Sequence, residues 1–269
     1  MPRNTTSGQH FLKNKSAVEK IVSALELREG DNVIEIGSGH GELTLELLKH
    51  PIDLIAIEKD RELAEELKNK GLKLKIIEGD VLKELPKIIH KPSAISPDSR
   101  AIEDPRQSRD YKLVGNIPYY ITGHLLRIIS ELEKKPLITV LTVQKEVAER
   151  IVAEPPKMNR LAAITQFWAD PEIIAVLPPS DFDPSPEVES AIIKLEKKNY
   201  DAKIMKDYYK IVKILFQQPR KTILNNLSVA SPFSKEEIIN KLETLLLKGG
   251  ERPQDLSIEI LKKLTLIFQ

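Results

Sequence analysis

No cysteine occurs in the 269 residues, which excludes disulfides, thiolate nucleophiles, iron–sulfur clusters and thiolate zinc sites together. Histidine is scarce: His10, His40, His50, His90 and His124 show no metal-ligand spacing, so no metal is expected. No apolar run approaches the roughly 18 residues of a membrane span, and Met1 to Gly8 lacks the apolar core of a signal peptide, so a cytoplasmic protein without membrane contact is expected. An excess of one charge is missing too. Forty-one basic side chains face 40 acidic ones, for a net +1, which excludes both a polybasic arm and an acidic solvating chain.

What is present is a composition of 41% hydrophobic and 30% charged residues, enough to fill a core and remain soluble. The length suits one sizeable domain and one smaller one. Across the first two-thirds, short β-branched runs alternate with amphipathic helical segments, the pattern of a parallel sheet covered by helices. Strands are predicted at 32–36, 53–58, 73–78, 111–115, 137–143, 162–168, 172–177 and 188–195. Helices are predicted at 16–27, 42–49, 60–70, 122–132 and 144–152. The proline- and serine-containing stretch Lys91 to Asp110 reads as an irregular surface loop. From about Lys197 the strand-like runs give way to three or four helical segments, among them Glu236 to Leu247, which Gly249-Gly250 terminates. The predicted domains are therefore 1–196 and 197–269.

The strand Val33-Ile34-Glu35-Ile36 runs into Gly37-Ser38-Gly39-His40-Gly41 and then opens a helix. Glycines at alternate positions let a ligand lie directly against the main chain, although a single Gly-x-Gly also suits a plain tight turn. The dinucleotide fingerprint needs a third glycine three residues after the second, where Glu42 stands, so a pyrophosphate cradle is disfavoured. No Gly-Lys-Ser/Thr follows, which excludes a P-loop. The second strand ends in Glu58, placed to accept from two ribose hydroxyls, and the third is followed by Asp80, an acceptor for an adenine amino group. A nucleoside without a pyrophosphate fits both. The arrangement resembles the nucleoside-binding half of S-adenosylmethionine-dependent methyltransferases.

The fourth strand runs into Asn116-Ile117-Pro118-Tyr119 at the same edge. A base presenting an exocyclic amine needs acceptors for its two N–H bonds, so that the nitrogen lone pair is free for a methyl group. Asn116 offers a side-chain carbonyl and Ile117 a backbone one, Pro118 stiffens the turn, and Tyr119 can stack on the ring. The pattern points to an amino-methyltransferase.

With these motifs in order, the chain resembles the ribosomal RNA small-subunit adenine dimethyltransferases (KsgA/RsmA type) over nearly its whole length. The resemblance also rests on Gly8-Gln9-His10-Phe11-Leu12, on Leu141 to Ala148, and on Phe182-Asp183-Pro184-Ser185-Pro186-Glu187-Val188-Glu189-Ser190-Ala191. Phe216 to Leu227 and Arg252 to Ser257 complete it. It implies a Rossmann-like α/β methyltransferase sheet with helices on both faces and a small all-helical C-terminal domain. The implied activity is transfer of methyl groups from S-adenosylmethionine, leaving S-adenosylhomocysteine, to the exocyclic amines of two adjacent adenosines near the 3′ end of small-subunit rRNA. It implies cofactor contacts from His10, Leu12, Glu35, Gly37, Gly39, Gly41, Glu58, Asp80 and Asn116. Asn116, Ile117, Pro118, Tyr119 and Phe182 form the implied catalytic set, Phe182 facing Tyr119 across the target base. Two departures stand out: His10 replaces the usual Asn, and Met158-Asn159 replaces Tyr-Gly.

Residues 1–195 carry 27 basic and 31 acidic side chains, −4, whereas 196–269 carry 14 and 9, +5. Near-neutrality thus hides an acidic catalytic part and a basic helical part, and the latter, with Arg220 and Lys221, is expected to dock rRNA. The expected partner is the small ribosomal subunit, met by a monomer. The alternatives are a large-subunit rRNA adenine methyltransferase of the macrolide-resistance type, a DNA adenine methyltransferase, and a non-catalytic rRNA-binding assembly factor or mitochondrial-type transcription factor on the same fold.

Overall fold

The computed structural model describes residues 9–90 and 110–268. The chain runs β1 (Phe11–Leu12), α1 (Lys15–Ala24), β2 (Asn32–Ile36), α2 (Glu42–Leu47), β3 (Asp53–Glu58), α3 (Arg61–Asn69), β4 (Lys75–Glu78), α4 (Val81–His90), β5 (Tyr111–Asn116), α5 (Thr122–Glu131) and β6 (Ile138–Gln144). It continues through α6 (Lys145–Ile151), α7 (Arg160–Gln166), β7 (Ala169–Leu177), β8 (Phe182–Asp183), β9 (Ser190–Lys197), α8 (Met205–Leu215), α9 (Ile223–Ala230), α10 (Lys235–Glu243) and α11 (Ile258–Ile267). No helix among the described residues is long and apolar enough to cross a membrane.

Two compact units result: Met1–Ala148 with Pro171–Lys197, and Glu149–Asp170 with Lys198–Gln269. The predicted split at 196/197 assigned 149–170 to the first domain, whereas its contacts join it to the C-terminal helices. Phe167 stacks on Tyr208 of α8 at 4.3 Å, and the Tyr208 hydroxyl donates to the Ala163 carbonyl. The segment carries three basic and three acidic side chains, so its transfer leaves the charge excess of the second unit intact.

In the first unit seven strands are ordered β4-β3-β2-β5-β6-β9-β7. Strands β4, β3, β2, β5 and β6 are parallel to one another, and β9 is antiparallel to β6. All five residues of β2 are buried, and since alternate side chains leave opposite faces, the sheet is covered on both sides. On one face Val33, Val114, Val140 and Ile192 pack with Ala17, Val18, Ile21 and Val22 of α1. The strand order reverses between β2 and β5, which leaves a crevice beyond their carboxyl ends.

Two elements differ from the sequence reading. The stretch predicted as a strand at 162–168 is mostly α7, because Asn159 caps it: its Oδ1 accepts from the Leu161 and Ala162 amides at 3.0 and 3.1 Å. Helix α4 was not anticipated, since Pro86 lies inside it. Its buried stripe of Val81, Leu85, Ile88 and Ile89 outweighs the one hydrogen bond that proline removes. The expected loop from Lys91 falls outside the described residues up to Asp110.

Helices α8 to α11 bury Tyr208, Ile211, Val212, Leu215, Ile238, Leu242, Leu261 and Leu264. Helix α10 starts with a capping box between Ser234 and Glu237 and ends earlier than the sequence suggests, at Glu243.

Candidate active site

At the reversal between β2 and β5 a cavity of about 340 Å³ opens, within the size range of small-molecule sites. One wall is the turn after β2 with the ends of β3 and β4; the other is the turn after β5.

The first wall is rigid. Glu58 is only 2% exposed, and its carboxylate spans two turns: Oε2 accepts from the Gly39 amide and Oε1 from the Asp60 amide, both at 2.9 Å. Each oxygen keeps a lone pair for a further donor, which a ribose diol would supply. Gly39 has φ +55°, and a Cβ there would stand 2.9 Å from the Phe11 ring, so only glycine holds this turn. Asp80 Oδ1 accepts from the Leu82 amide at 3.0 Å, and Oδ2 lies 3.7 Å from Lys59 Nζ. Main chain without side chains, a fixed carboxylate and a second acidic group fit the nucleoside part of S-adenosylmethionine.

The second wall is built around Asn116. Its Nδ2 donates to the His10 backbone carbonyl at 2.7 Å, which fixes the amide and leaves Oδ1 as an acceptor. Ile117 is 2% exposed and Pro118 opens a single 3₁₀ turn over Tyr119–Ile121. The Tyr119 hydroxyl is hydrogen-bonded to Ser190 Oγ at the start of β9. Burial pushes that phenol above its ordinary pKa, so it stays protonated. The His10 ring stacks on Tyr119, with centroids 5.6 Å apart and planes 27° apart, and its Nδ1 lies 2.7 Å from the Pro184 carbonyl. Because a carbonyl only accepts, Nδ1 carries a proton there.

His10, Leu12, Gly37, Gly39, Glu58, Asp80, Asn116, Ile117, Pro118 and Tyr119 all line the cavity. Three expected site residues do not. Glu35 is fully buried, points to Thr44 instead, and accepts from its hydroxyl at 2.7 Å; burial raises this carboxyl to about 8. Gly41, at φ +93°, is required by packing, since a Cβ would meet Leu67 Cδ2 at 2.7 Å. Phe182 is fully buried, paired with the cavity-lining Leu12 across β8 and β1, and packed in the core against α1. Arg220 and Lys221 are exposed in the second unit on the turn between α8 and α9. The buried Asn226 braces that turn by donating to the Gln218 carbonyl at 3.1 Å.

Sequence reasoning missed Thr44 and the anchoring role of Ser190, although Ser190 lies in the quoted Phe182 to Ala191 run. It also passed over Lys59 and Tyr120, which line the cavity.

Sheet order, glycine turn and crevice are those of the Rossmann-like methyltransferases that use S-adenosylmethionine. Within that class, the pattern of the family described as Ribosomal RNA adenine dimethylase matches residues 2–259, and the chain belongs to that family. A relative from Dehalococcoides mccartyi, Ribosomal RNA small subunit methyltransferase A, is 36% identical over 97% of this chain and 87% of its own length. The protein of the same name from Caldanaerobacter subterraneus is 37% identical over 92% and 88%. Among solved structures, a dimethyladenosine transferase from Plasmodium falciparum superposes with a TM-score of 0.76 at 26% identity, covering 96% of this chain and 97% of that one. The 23S rRNA methyltransferase ErmE gives 0.70 at 23% identity, covering 96% and 99%, a likeness of fold alone.

Proposed function

We propose that the protein is an S-adenosylmethionine-dependent rRNA adenine dimethyltransferase that methylates the exocyclic amines of two adjacent adenosines near the 3′ end of small-subunit rRNA. The observation that carries this reading is the fixed amide of Asn116, set across one cavity from the ribose-ready carboxylate of Glu58.

S-adenosylmethionine supplies an electrophilic methyl group on a sulfonium. With that group bound, attack by the amine would displace S-adenosylhomocysteine from the methyl carbon, and the proton of the alkylated amine would pass to water. The protein's part is mainly positioning. Glu58 and Asp80 hold the nucleoside end. Asn116 Oδ1 and the Ile117 carbonyl accept the two amine N–H bonds and aim the lone pair, while Tyr119, tied to Ser190, offers a ring face to the base. The adenosine leaves its stack to reach this depth. Arg220 and Lys221, on their braced turn in the basic second unit, contact rRNA phosphates. The protein works as a monomer in the cytoplasm.

Incubation with radiolabelled methyl donor and unmethylated small subunits, large subunits and DNA in parallel, followed by nucleoside analysis, tests the reading. Dimethyladenosine in small subunits alone is expected. Label in large subunits would point to the macrolide-resistance type, and label in DNA to a DNA methyltransferase. Cofactor binding without transfer to any of the three would point to an assembly factor.

A further inference from the structure

Tyr119 and Tyr120 are consecutive residues of one 3₁₀ turn, yet they meet different fates. Tyr119 is half-buried, hydrogen-bonded to Ser190 and stacked against His10. Tyr120 also lines the cavity but is 67% exposed, and among the described residues its ring stacks on nothing and its hydroxyl has no partner. The backbone beneath it is held. Pro118 precedes the turn, the Ile121 amide donates to the Pro118 carbonyl at 3.1 Å, and Thr122 begins α5. An uncovered aromatic ring carried on a held backbone turn at the rim of a cavity offers a face to a flat apolar partner.

A nucleotide that swings out of a stack leaves its neighbour with an uncovered face. Here the target and its neighbour are both purines, whose large π-faces stack well on an aromatic side chain. We propose that Tyr120 is a stacking platform for the RNA base adjoining the adenosine being methylated. This rests on the function proposed above, with the target adenine at Asn116 and Tyr119. Tyr120 then holds the adjacent adenosine at the rim, keeps the strand in register, and retains the second substrate base close to the site.

The test compares Tyr120→Ala, Tyr120→Leu, Tyr120→Phe and Tyr120→Trp with wild type in four measurements. These are thermal melting, S-adenosylhomocysteine affinity by calorimetry, affinity for unmethylated small subunits, and kcat/KM of methyl transfer. Melting and cofactor affinity are expected to stay at wild-type values throughout. Subunit affinity and kcat/KM should fall about tenfold or more in the Ala and Leu variants and be restored in the Phe and Trp variants. Wild-type subunit affinity in Tyr120→Ala, or equal rescue by Leu and Phe, would overturn the stacking role. A loss of cofactor affinity in Tyr120→Ala would assign the ring to the cofactor instead. A wild-type protein that neither binds nor methylates small subunits would overturn the functional reading and this one with it. An active wild type with an equally active Tyr120→Ala would overturn this one alone.

Discussion

The side-chain amide of Asn116 donates to the main-chain carbonyl of His10 across 106 residues of sequence. The bond ties the end of β5 to the residue just before β1, and it sets the orientation of a side-chain amide that lines the cavity. A backbone acceptor makes the tie independent of which side chain stands at position 10.

Replacing Asn116 by Ala removes an acceptor that matters in the transition state more than in cofactor binding. Methyl transfer should be abolished, with most cofactor affinity retained, as measured by single-turnover transfer and calorimetry. Transfer within about threefold of wild type would contradict the assigned role.

For His10→Ala the expectation is milder. The carbonyl that holds Asn116 survives, and only the ring against Tyr119 and its bond to Pro184 are lost. An aromatic contact of this kind contributes about 0.5–1.5 kcal/mol, so transfer should slow by roughly 2- to 12-fold. A loss as deep as that of Asn116→Ala would mean that the ring itself is part of the reaction.

Glu35 predicts a pH dependence of stability. Burial raises its carboxyl from the ordinary 4.5 to about 8, with the Thr44 hydrogen bond opposing and the charges of Glu58 and Glu42 adding to the rise. Between those values the folded chain holds a proton that the unfolded chain has released, so this group's contribution falls as pH rises through that window and levels off above it. Glu35→Gln should flatten the decline in thermal melts taken from about pH 5 to about pH 9. Parallel wild-type and variant profiles would show that Glu35 is already ionised in the folded chain.

The basic turn offers a test in salt. Changing Arg220 and Lys221 together to Gln should weaken binding to small subunits and reduce the slope of log affinity against log salt by about 1–2. An unchanged slope would place the phosphate contacts elsewhere on the molecule.

Much of the site was legible because its determinants are local. Glu58 closes a β-branched run, Gly37 and Gly39 follow one, and Asn116 ends another, so alternation along the chain put them at one sheet edge before any contact was known. Side-chain direction that depends on a distant partner was not legible in the same way. Phe182 stands in a motif that resembles a base clamp, and its full burial beside Leu12 follows from the pairing of β8 with β1. Glu35 belongs to the glycine motif, yet the pleat of β2 aims it at Thr44. The run at 162–168 is apolar enough for a strand or a buried helix, and the Asn159 cap with the contact to Tyr208 selected the helix.

By itself the sequence determined the α/β alternation, the parallel sheet, the two motif-bearing turns and the uneven charge of the two halves, since each is a property of neighbouring residues. Only the tertiary structure decided that Asn116 is held by His10, that Tyr119 is anchored by Ser190, and that Tyr120 is left bare at the rim. Those outcomes depend on which distant strands meet and in what register, and a register shift of one residue sends every side chain of a strand to the other face.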